Sequence, residues 1–502
     1  MPIINAVIAW FMKKRIHQIE LFLKYPCEVQ MEWFKKLIAK AADTEWGNNY
    51  DYASISTPDQ FRERVPVQEY NDIRPYVERL RKGENNLLWP TQIKWFAKSS
   101  GTTGDKSKYI PVSAETLEEC HYKGGKDLLS MYCNNNPDTR IFDGRSLGLG
   151  GSHDYSSDKP GPFHGDVSAV LMQNLPLWAE LIRTPDLSTA LMDDWEKKLD
   201  KMAHITSREN VTSISGVPSW MLLLLQKVLA LNNKSNIEEV WPNLELFTHG
   251  GVNFAPYREK FQAICPPDLN YLETYNASEG FFGIQDRSGA DDMLLMLDYG
   301  IFYEFLPYQG ASTNNPKTLL LDEVETNTPY TLIISTNSGL WRYVIGDVIT
   351  FTSTNPYRIK IVGRTRSFIN AFGEELIVEN AEKAIEDACK KTNSLINEFT
   401  AAPIYLNGTD AGAHEWLLEF DKPPEDINYF AEILDNNLKA LNSDYEAKRY
   451  KDMVLASPKI VLLPKGTFYQ WMKSKGRLGG QYKVPRLNND RTHVDEILDI
   501  IG

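Results

Sequence analysis

Residues 98–111 read Lys-Ser-Ser-Gly-Thr-Thr-Gly-Asp-Lys-Ser-Lys-Tyr-Ile-Pro. Glycines let backbone N–H groups approach phosphate oxygens closely, and serine and threonine hydroxyls donate hydrogen bonds to the same oxygens. Lysines add mobile positive charge. The runs 92–96 and 110–112 on either side have the composition of strands. We therefore predict a glycine-rich loop between two strands that holds a polyphosphate.

The spacing within this loop excludes two familiar phosphate-binding motifs. Only two residues separate Gly101 from Gly104, whereas a Walker A loop has four residues between its glycines and then Gly-Lys-Ser/Thr. The dinucleotide fingerprint G-x-G-x-x-G is also absent from this stretch. Taken alone, the stretch leaves a polar surface turn open as the alternative.

Composition limits the class of protein. The chain has 502 residues, enough for two or three domains. Hydrophobic residues make up 42% and charged residues 24%, as in soluble globular proteins. The net charge of −13 argues against a general nucleic-acid binder, because such proteins must neutralise phosphates. A local basic pocket for a small anion remains compatible with this charge.

The cysteines and the N-terminus indicate a cytoplasmic protein. Five widely spaced cysteines form no C-x-x-C pair, which argues against a disulfide framework or a cysteine zinc site and favours free thiols in a reducing compartment. The apolar run 3–12 precedes its positive charges, which is the wrong order for a signal peptide. No stretch approaches the roughly 18 apolar residues of a membrane span. We expect no membrane association, and a monomer by default.

The middle of the chain has an α/β pattern. Strand-like runs at 211–214, 244–247 and 269–272 each end in a loop rich in glycine, serine or threonine, with helical pieces between them. Ligands of such folds bind beyond the carboxyl ends of the strands. We predict helices over 1–40, 57–80, 113–133, 178–204 (broken at Pro185) and 220–231, with Ser219 as the cap of the last.

From residue 293 the pattern changes to short strands rich in β-branched and aromatic residues: 294–297, 301–306, 331–335, 341–344, 347–352 and 358–362. They predict a mostly antiparallel β unit. Helices at 378–389 and 427–441 and strands at 404–406 and 416–420 follow. The predicted fold class is therefore α/β, with a large N-terminal domain over 1–365 that includes a β-rich subdomain at about 293–362. A smaller α+β C-terminal domain follows over 366–502.

Four further motifs follow the glycine loop in order. They are Tyr275-Asn276-Ala277-Ser278-Glu279, Tyr343-Val344-Ile345-Gly346-Asp347, Gly363-Arg364 and Gly480-Gln481-Tyr482-Lys483-Val484-Pro485-Arg486. This order resembles the adenylate-forming superfamily of acyl-CoA synthetases and luciferase-like enzymes. The Tyr-x-x-Ser-Glu form and the last motif are most similar to the GH3 family of acyl acid–amido synthetases, best known from auxin and jasmonate conjugation in plants. The resemblance covers about residues 90–490.

The resemblance implies an adenylate-forming architecture and a two-step reaction. A carboxylic acid is first adenylated with ATP and Mg²⁺, and the acyl group then passes to an amine such as an amino acid, giving an amide, AMP and pyrophosphate. An acyl-CoA synthetase, which uses a thiol instead, is the first alternative. A nucleotide-binding sensor without turnover is the second.

The resemblance also implies roles for individual residues. Tyr275 would stack on the adenine and Asp347 would accept hydrogen bonds from both ribose hydroxyls. The implied ATP- and AMP-binding residues are Ser99, Ser100, Gly101, Thr102, Thr103, Lys108, Gly250, Gly251, Val252, Tyr275, Ser278, Asp347 and Arg364.

Two residues are expected to act in catalysis. Glu279 would ligate Mg²⁺, although an acidic residue near a helix start is the simpler reading. Lys483 would lie beside the α-phosphate and the carboxylate during adenylation, and the glycines before it and Pro485 after it favour it over the neighbouring lysines. Its rivals are Lys465, Lys473 and Lys475.

The acyl pocket is expected to contain Val217, Trp220 and Phe254. Two positions depart from the plant pattern: Ala277 stands where serine is usual, and Thr365-Arg366 replaces an acidic pair after Gly363-Arg364. The exact hinge residue within 364–367 and the identities of the acid and the amine therefore stay open.

Overall fold

The structure, a computed structural model, describes residues 15–100, 107–151, 162–192, 194–252, 254–308, 317–364, 368–405, 411–475 and 484–501. The chain divides into two compact units. One comprises the described residues of Met1–Lys98 and Tyr109–Thr365, and the other those of Ser99–Lys108 and Arg366–Gly502.

An eleven-stranded sheet in the order β11-β12-β13-β14-β10-β9-β8-β7-β6-β3-β5 dominates the first unit, beside a three-stranded sheet in the order β2-β1-β4. The strands are β1 (Trp95–Ser100), β2 (Ser107–Val112), β3 (Arg145–Leu149), β4 (Phe163–Gly165), β5 (Arg183–Thr184), β6 (Val211–Gly216), β7 (Leu246–Gly250), β8 (Asn270–Ala277), β9 (Gly280–Ile284), β10 (Met293–Leu295), β11 (Ile301–Pro307), β12 (Pro329–Thr336), β13 (Tyr343–Thr354) and β14 (Tyr357–Arg364).

The large sheet changes once from parallel to antiparallel pairing. Its strands pair in parallel from β5 through β3, β6 and β7 to β8, and antiparallel from β8 onwards to β11. The predicted α/β pattern of 211–272 and the predicted antiparallel strands after 293 are both confirmed. The antiparallel strands continue the same sheet. Two strands predicted at 341–344 and 347–352 are one strand, β13. Its register with β12 shifts between Val344 and Val348, where Gly346 has φ +98°.

Helices cover the sheets of this unit. They are α1 (Ile16–Lys24), α2 (Pro26–Ala41), α3 (Glu45–Asn49), α4 (Pro58–Arg64), α5 (Tyr70–Arg81), α6 (Ala114–Thr116), α7 (Lys123–Asn135), α8 (Val167–Gln173), α9 (Leu177–Ile182), α10 (Leu187–Ala190), α11 (Trp195–Thr206), α12 (Pro218–Asn232) and α13 (Ala255–Ile264), with a π-helical turn (Leu117–Tyr122) joining α6 to α7.

The helical segment expected over 178–204 breaks near Pro185, as predicted, where the strand β5 pairs with β3. A second break, between α10 and α11, was not predicted. The prediction that Ser219 caps α12 was wrong. Pro218 begins this helix, since proline is well suited to the first helical position. Val217 is the N-cap residue, and no side chain caps the helix.

Two buried arginines fix distant segments of the first unit through ion pairs. Arg15 donates to Asp127 through Nε at 2.7 Å and to Asp298 through Nη2 at 2.8 Å, which fastens the start of α1 to α7. Arg342 pairs with Glu304 at 3.0 Å, and both side chains are only 1% exposed. Arg342 also donates to the backbone oxygen of Val65 at 2.6 Å, so the loop after α4 is held against β13.

The second unit has a three-stranded sheet in the order β17-β18-β19 and a two-stranded one formed by β15 and β16. Its elements are β15 (Phe368–Ile369), β16 (Leu376–Ile377), α14 (Val378–Thr392), β17 (Leu395–Ile404), β18 (Ala413–Lys422), α15 (Ile427–Leu441), α16 (Ser443–Lys448), β19 (Lys459–Leu463), α17 (Thr467–Ser474) and α18 (Thr492–Ile501). In the described ranges, every helix is too short or too polar to cross a bilayer.

Candidate functional site

The carboxyl ends of β6 and β7 bring predicted nucleotide and pocket residues together. Gly250 ends β7, and a Cβ there would lie 2.4 Å from the carbonyl oxygen of Thr274, so a side chain would not fit. Gly251 has φ +81°, a conformation that favours glycine. A Cβ on Gly251 would lie 3.7 Å from Cγ2 of Val217. Val217, assigned to the acyl pocket, is therefore a neighbour of the glycines assigned to the nucleotide.

The Ser278–Glu279 pair forms the tip of a hairpin. Ala277 of β8 pairs with Gly280 of β9, so Ser278 and Glu279 between them form a two-residue turn. Glu279 is only 8% exposed although it lies in a turn. Burial, followed by the charge of Glu279, raises the pKa of Tyr343 well above its usual range. The turn therefore brings one carboxylate close to the start of the Tyr343–Asp347 motif.

Tyr275 and Asp347 meet in the interior of the first unit. The hydroxyl of Tyr275 donates to Oδ2 of Asp347 at 2.5 Å, and both residues are buried. The Tyr275 ring packs against Phe282, with ring centroids 4.8 Å apart. Asp347 lies opposite Arg364 in the register of β13 and β14. The backbone therefore places three residues assigned to the nucleotide at one point of the sheet.

His121 contacts the same hairpin and was missed in the sequence. Its Nδ1–H donates to Oδ1 of Asn276 at 3.1 Å, and its buried Nε2 has no hydrogen-bond partner in the described residues. Burial lowers the pKa of His121 to about 4, so the ring is neutral at pH 7. The sequence offers no signal for this contact, because 155 residues separate the two side chains.

His249 and Phe254 form a stacked pair beside the glycines. Their ring centroids are 4.0 Å apart, and both residues are buried. Burial, followed by the charge of Arg258, lowers the pKa of His249 to about 3. Trp220 similarly stacks on Trp195 with centroids 4.1 Å apart. Of the three residues assigned to the acyl pocket, two therefore have a ring face covered by another ring of the chain.

Lys198 was also missed. It is completely buried on α11, and its Nζ donates to the carbonyl oxygens of Gly150 at 2.7 Å and Gly151 at 3.1 Å. The same ammonium lies 4.4 Å from the centroid of the Trp195 ring. Lys198 therefore fixes the loop at the carboxyl end of β3, the strand beside β6. A lysine on the apolar face of an amphipathic helix would have been its only sequence signal.

The remaining predicted residues divide into two groups. Ser99 on β1 and Lys108 on β2 are half-buried. Gly101, Thr102, Thr103 and Lys483 lie outside the described residues, as do the side chains of Ser100 and Arg364. Within the described ranges, no cluster of three His, Cys, Asp or Glu side chains is arranged to hold a metal ion. A single buried carboxylate such as Glu279 nonetheless fits Mg²⁺, which takes most of its ligands from phosphates and water in nucleotide sites.

Three family profiles match consecutive parts of the chain. They are the GH3 family N-terminal domain over residues 15–269, the GH3 family central domain over 294–364 and the GH3 family C-terminal domain over 379–492. Among curated proteins, indole-3-acetic acid-amido synthetase GH3.3 of Arabidopsis thaliana is 22% identical, over 94% of this chain and 91% of its own. Jasmonoyl–L-amino acid synthetase GH3.5 of Oryza sativa subsp. japonica is 24% identical, over 97% and 96%.

Solved structures share the fold. GH3.15 acyl acid amido synthetase matches with a TM-score of 0.61 at 17% identity, over 97% of this chain and 96% of its own. 2-Hydroxyisobutyryl-CoA ligase, in complex with 2-HIB-AMP and CoA, matches with a TM-score of 0.55 at 12% identity, over 99% and 92%. The predicted fold class is confirmed by this likeness.

Proposed function

The chain belongs to the GH3 family, and from that premise we propose that it is an ATP-dependent acyl acid–amido synthetase. It adenylates a carboxylic acid and transfers the acyl group to an amine, an amino acid, releasing pyrophosphate and then AMP. The observation that carries the proposal is the contact between Tyr275 and Asp347. It joins two of the family's motifs at one point beside the carboxyl ends of parallel strands, where α/β folds bind ligands.

The buried carboxylate of Asp347 suits the ribose. An ionised carboxylate offers about four lone-pair sites, and the Tyr275 hydroxyl uses one of them. We assign Asp347 to the ribose hydroxyls, with Arg364 opposite it on the paired strand β14. Gly250 and Gly251 place no side chain between the backbone and a flat base, and with Val252 they are assigned to the adenine. Stacking of Tyr275 on that base remains part of the proposal.

The phosphates are assigned to the glycine loop. Ser99, Ser100, Thr102 and Thr103 donate to the β- and γ-phosphates, and Gly101 lets the backbone approach, while Lys108 adds charge. Ser278 and Glu279 contribute from the hairpin tip, where Glu279 holds Mg²⁺. When bound, Mg²⁺ neutralises charge that develops on the phosphoryl oxygens.

Lys483 is assigned to catalysis. A cation between the acid's carboxylate and the α-phosphate offsets a repulsion of roughly 4 kcal/mol at 4 Å and an effective dielectric constant of 20. Two rivals are already paired within the second unit: Lys465 with Asp421 and Lys475 with Glu496, each at 2.6 Å. These pairings favour Lys483 over both rivals.

Residues 366–502 are proposed as a mobile C-terminal domain that rotates about 364–367 between the two half-reactions. Closure over residues 1–365 would keep water from hydrolysing the adenylate.

Val217, Trp220 and Phe254 are assigned to the acyl pocket. Their apolar and aromatic side chains suit an apolar acid of the kind that the relatives' names record, such as indole-3-acetic acid. In the described part of the chain none of the five cysteines forms a disulfide, which supports a cytoplasmic protein, and we propose a monomer.

Pyrophosphate release from Mg-ATP with pooled carboxylic acids, trapped with hydroxylamine, tests the proposal. We expect release that depends on one acid and yields its hydroxamate, and we expect Lys483→Ala to abolish it while Lys473→Ala does not. No release from any pool, with ATP still raising the melting temperature, would favour the nucleotide-binding sensor. Acyl transfer to CoA instead of to an amino acid would favour the acyl-CoA synthetase.

A further inference from the structure

The segment that follows the predicted catalytic lysine is firmly attached to β17. The backbone N–H of Ala401 donates to the carbonyl oxygen of Arg486 at 2.9 Å, and the N–H of Asn488 donates back to Ala401 at 3.1 Å. The Thr400 hydroxyl donates to the carbonyl oxygen of Pro485 at 2.6 Å. Leu487 is buried in the same unit. Residues 485–488 therefore extend the β17 sheet, and none of these bonds involves the side chain of Asn489.

The segment that follows the predicted hinge is a compact turn between β15 and β16. The Glu374 carboxylate is completely buried and accepts from the N–H groups of Ala371 at 3.2 Å and Phe372 at 2.7 Å. It is also bonded to Nε2 of His414 at 2.7 Å. The Asn370 side chain accepts from the N–H of Glu375 at 3.3 Å. These bonds make the turn a rigid unit.

Asn489 connects these two segments. Its Oδ1 accepts from the N–H of Asn370 at 2.7 Å, and its Nδ2 donates to the carbonyl oxygen of Phe368 at 3.4 Å. Its carbonyl oxygen accepts from the Tyr405 hydroxyl at 3.0 Å. In sequence, Phe368 comes directly after the predicted hinge and Asn489 lies six residues after Lys483. The side chain thus spans from the lysine's segment to the first residues beyond the hinge.

We propose that Asn489 is a positioning residue, which ties the post-hinge turn directly to the lysine-bearing segment while Glu374 ties the turn to His414 of β18. This rests on the proposed function, because Lys483 and the hinge at 364–367 are assigned there. A rotation that begins at the hinge acts on the turn first. Without Asn489 the turn would stay tied to β18 through Glu374 and His414, but it would lose its direct bonds to the lysine-bearing segment. The lysine would then reach its place beside the α-phosphate less often. The step that suffers is adenylation, whereas binding of ATP and the acid is unchanged.

Asn488 provides a matched control. It is also a half-buried asparagine, but its side chain lies 3.3 Å from Nδ1 of His493 and makes no described bond to residues 368–377. We expect Asn489→Ala to lower kcat for acid-dependent pyrophosphate exchange at least tenfold, with KM for ATP and acid within twofold of wild type. Asn488→Ala stays within twofold in kcat. Asn489→Asp keeps the bond to Asn370 and recovers at least a third of the wild-type kcat.

Hydrogen exchange of the full chain tests the link without relying on activity. In Asn489→Ala, amides over 368–377 should exchange at least five times faster than in wild type or Asn488→Ala, while amides over 395–404 are unchanged. Equal exchange at 368–377 in all three proteins, or equal acceleration over both peptides, would overturn the proposal. So would equal losses of kcat in the two alanine variants. If wild type shows no acid-dependent exchange of pyrophosphate, the proposed function fails, and hydrogen exchange still decides whether Asn489 links the segments.

Discussion

The hydroxyl of Tyr275 donates to Asp347 Oδ2 at 2.5 Å across 72 residues of chain. Tyr275 lies near the end of β8, the last parallel strand of the sheet, and Asp347 lies in the antiparallel part. The bond therefore joins the parallel part of the sheet to its antiparallel part. Ligands of α/β folds bind beyond the carboxyl ends of the parallel strands, which is why this pair is central to the nucleotide site proposed above.

Removing the carboxylate should weaken nucleotide binding. We expect Asp347→Ala to raise KM for ATP by about 10- to 100-fold, since hydrogen bonds to a charged group contribute about 1.5–3 kcal/mol. Tyr275→Phe should raise it by about fivefold, because it removes one neutral donor worth about 1 kcal/mol.

Tyr271→Phe is the control for Tyr275→Phe. Tyr271 lies on the same strand, and its buried hydroxyl has no hydrogen-bond partner in the described part of the chain. Its removal should leave KM for ATP within twofold. Steady-state kinetics of pyrophosphate release measures all three variants, and a Tyr271→Phe effect as large as that of Tyr275→Phe would contradict a specific role for the Tyr275–Asp347 bond.

A methyl group at Gly250 should disturb both strands that meet there. Its Cβ would lie 2.4 Å from the Thr274 carbonyl oxygen, the residue before Tyr275. We expect Gly250→Ala to lower the free energy of unfolding by about 1–3 kcal/mol, the usual range for overpacking, and to raise KM for ATP. Gly289→Ala, at φ +71° with nothing within 4 Å, is the control for backbone strain alone. The free energy of unfolding of Gly289→Ala should fall by about 1 kcal/mol, without any change in KM for ATP.

Stability should fall at acid pH because of His121. Burial lowers the pKa of this residue from 6.5 to about 4, so between these pH values the unfolded chain binds a proton that the folded chain does not. Stability from the neutral ring is fully present above pH 6.5 and is lost as pH falls towards 4, by up to about 1.4 kcal/mol per pH unit.

Denaturant unfolding of wild type and His121→Gln from pH 4 to 7 checks this. The stability difference between the two proteins should shift in favour of the variant by about 3 kcal/mol as pH falls from 6.5 to 4. His17→Gln, which changes an exposed side chain, is the control. A difference between wild type and His121→Gln that does not vary with pH would show that burial does not lower the pKa of His121.

The Arg342–Glu304 pair should be important for stability. Both side chains are 1% exposed, so Glu304→Gln leaves a buried guanidinium without its counter-charge. We expect a loss of about 3–5 kcal/mol in the free energy of unfolding. Glu386→Gln breaks exposed pairs with Lys383 and Lys390 and should change it by less than 1 kcal/mol. Comparable losses in the two variants would refute the importance of burial at Glu304.

The sequence predicts most of the fold because strand runs and glycine-rich turns are local signals. The parallel strands β6 to β8 and the antiparallel strands after Met293 were both apparent from composition. The break at Pro185 within 178–204 was predicted, but the pairing of Arg183 and Thr184 with β3 was not, since it is a tertiary effect. Local helical pattern cannot report such pairing.

Side-chain contacts at the site were harder to predict from the sequence. Motif order suggested that Tyr275 and Asp347 share a ligand, but it gave no hint of the direct bond between them. His121 and Lys198 lie on helices whose sequences contain no functional motif. Their burial becomes evident only when the helices pack on the sheet, because hydrogen bonds such as that from Lys198 to Gly150 join residues far apart in the chain.

The most direct test of the central claim is product analysis by mass spectrometry. The full chain is incubated with Mg-ATP, the acid found in the hydroxamate screen, a mixture of amino acids and CoA. The proposed function predicts an N-acyl amino acid formed in equal amounts with AMP, and its loss in Lys483→Ala. An acyl-CoA as the only acyl product, or AMP formation without any amide, would contradict it.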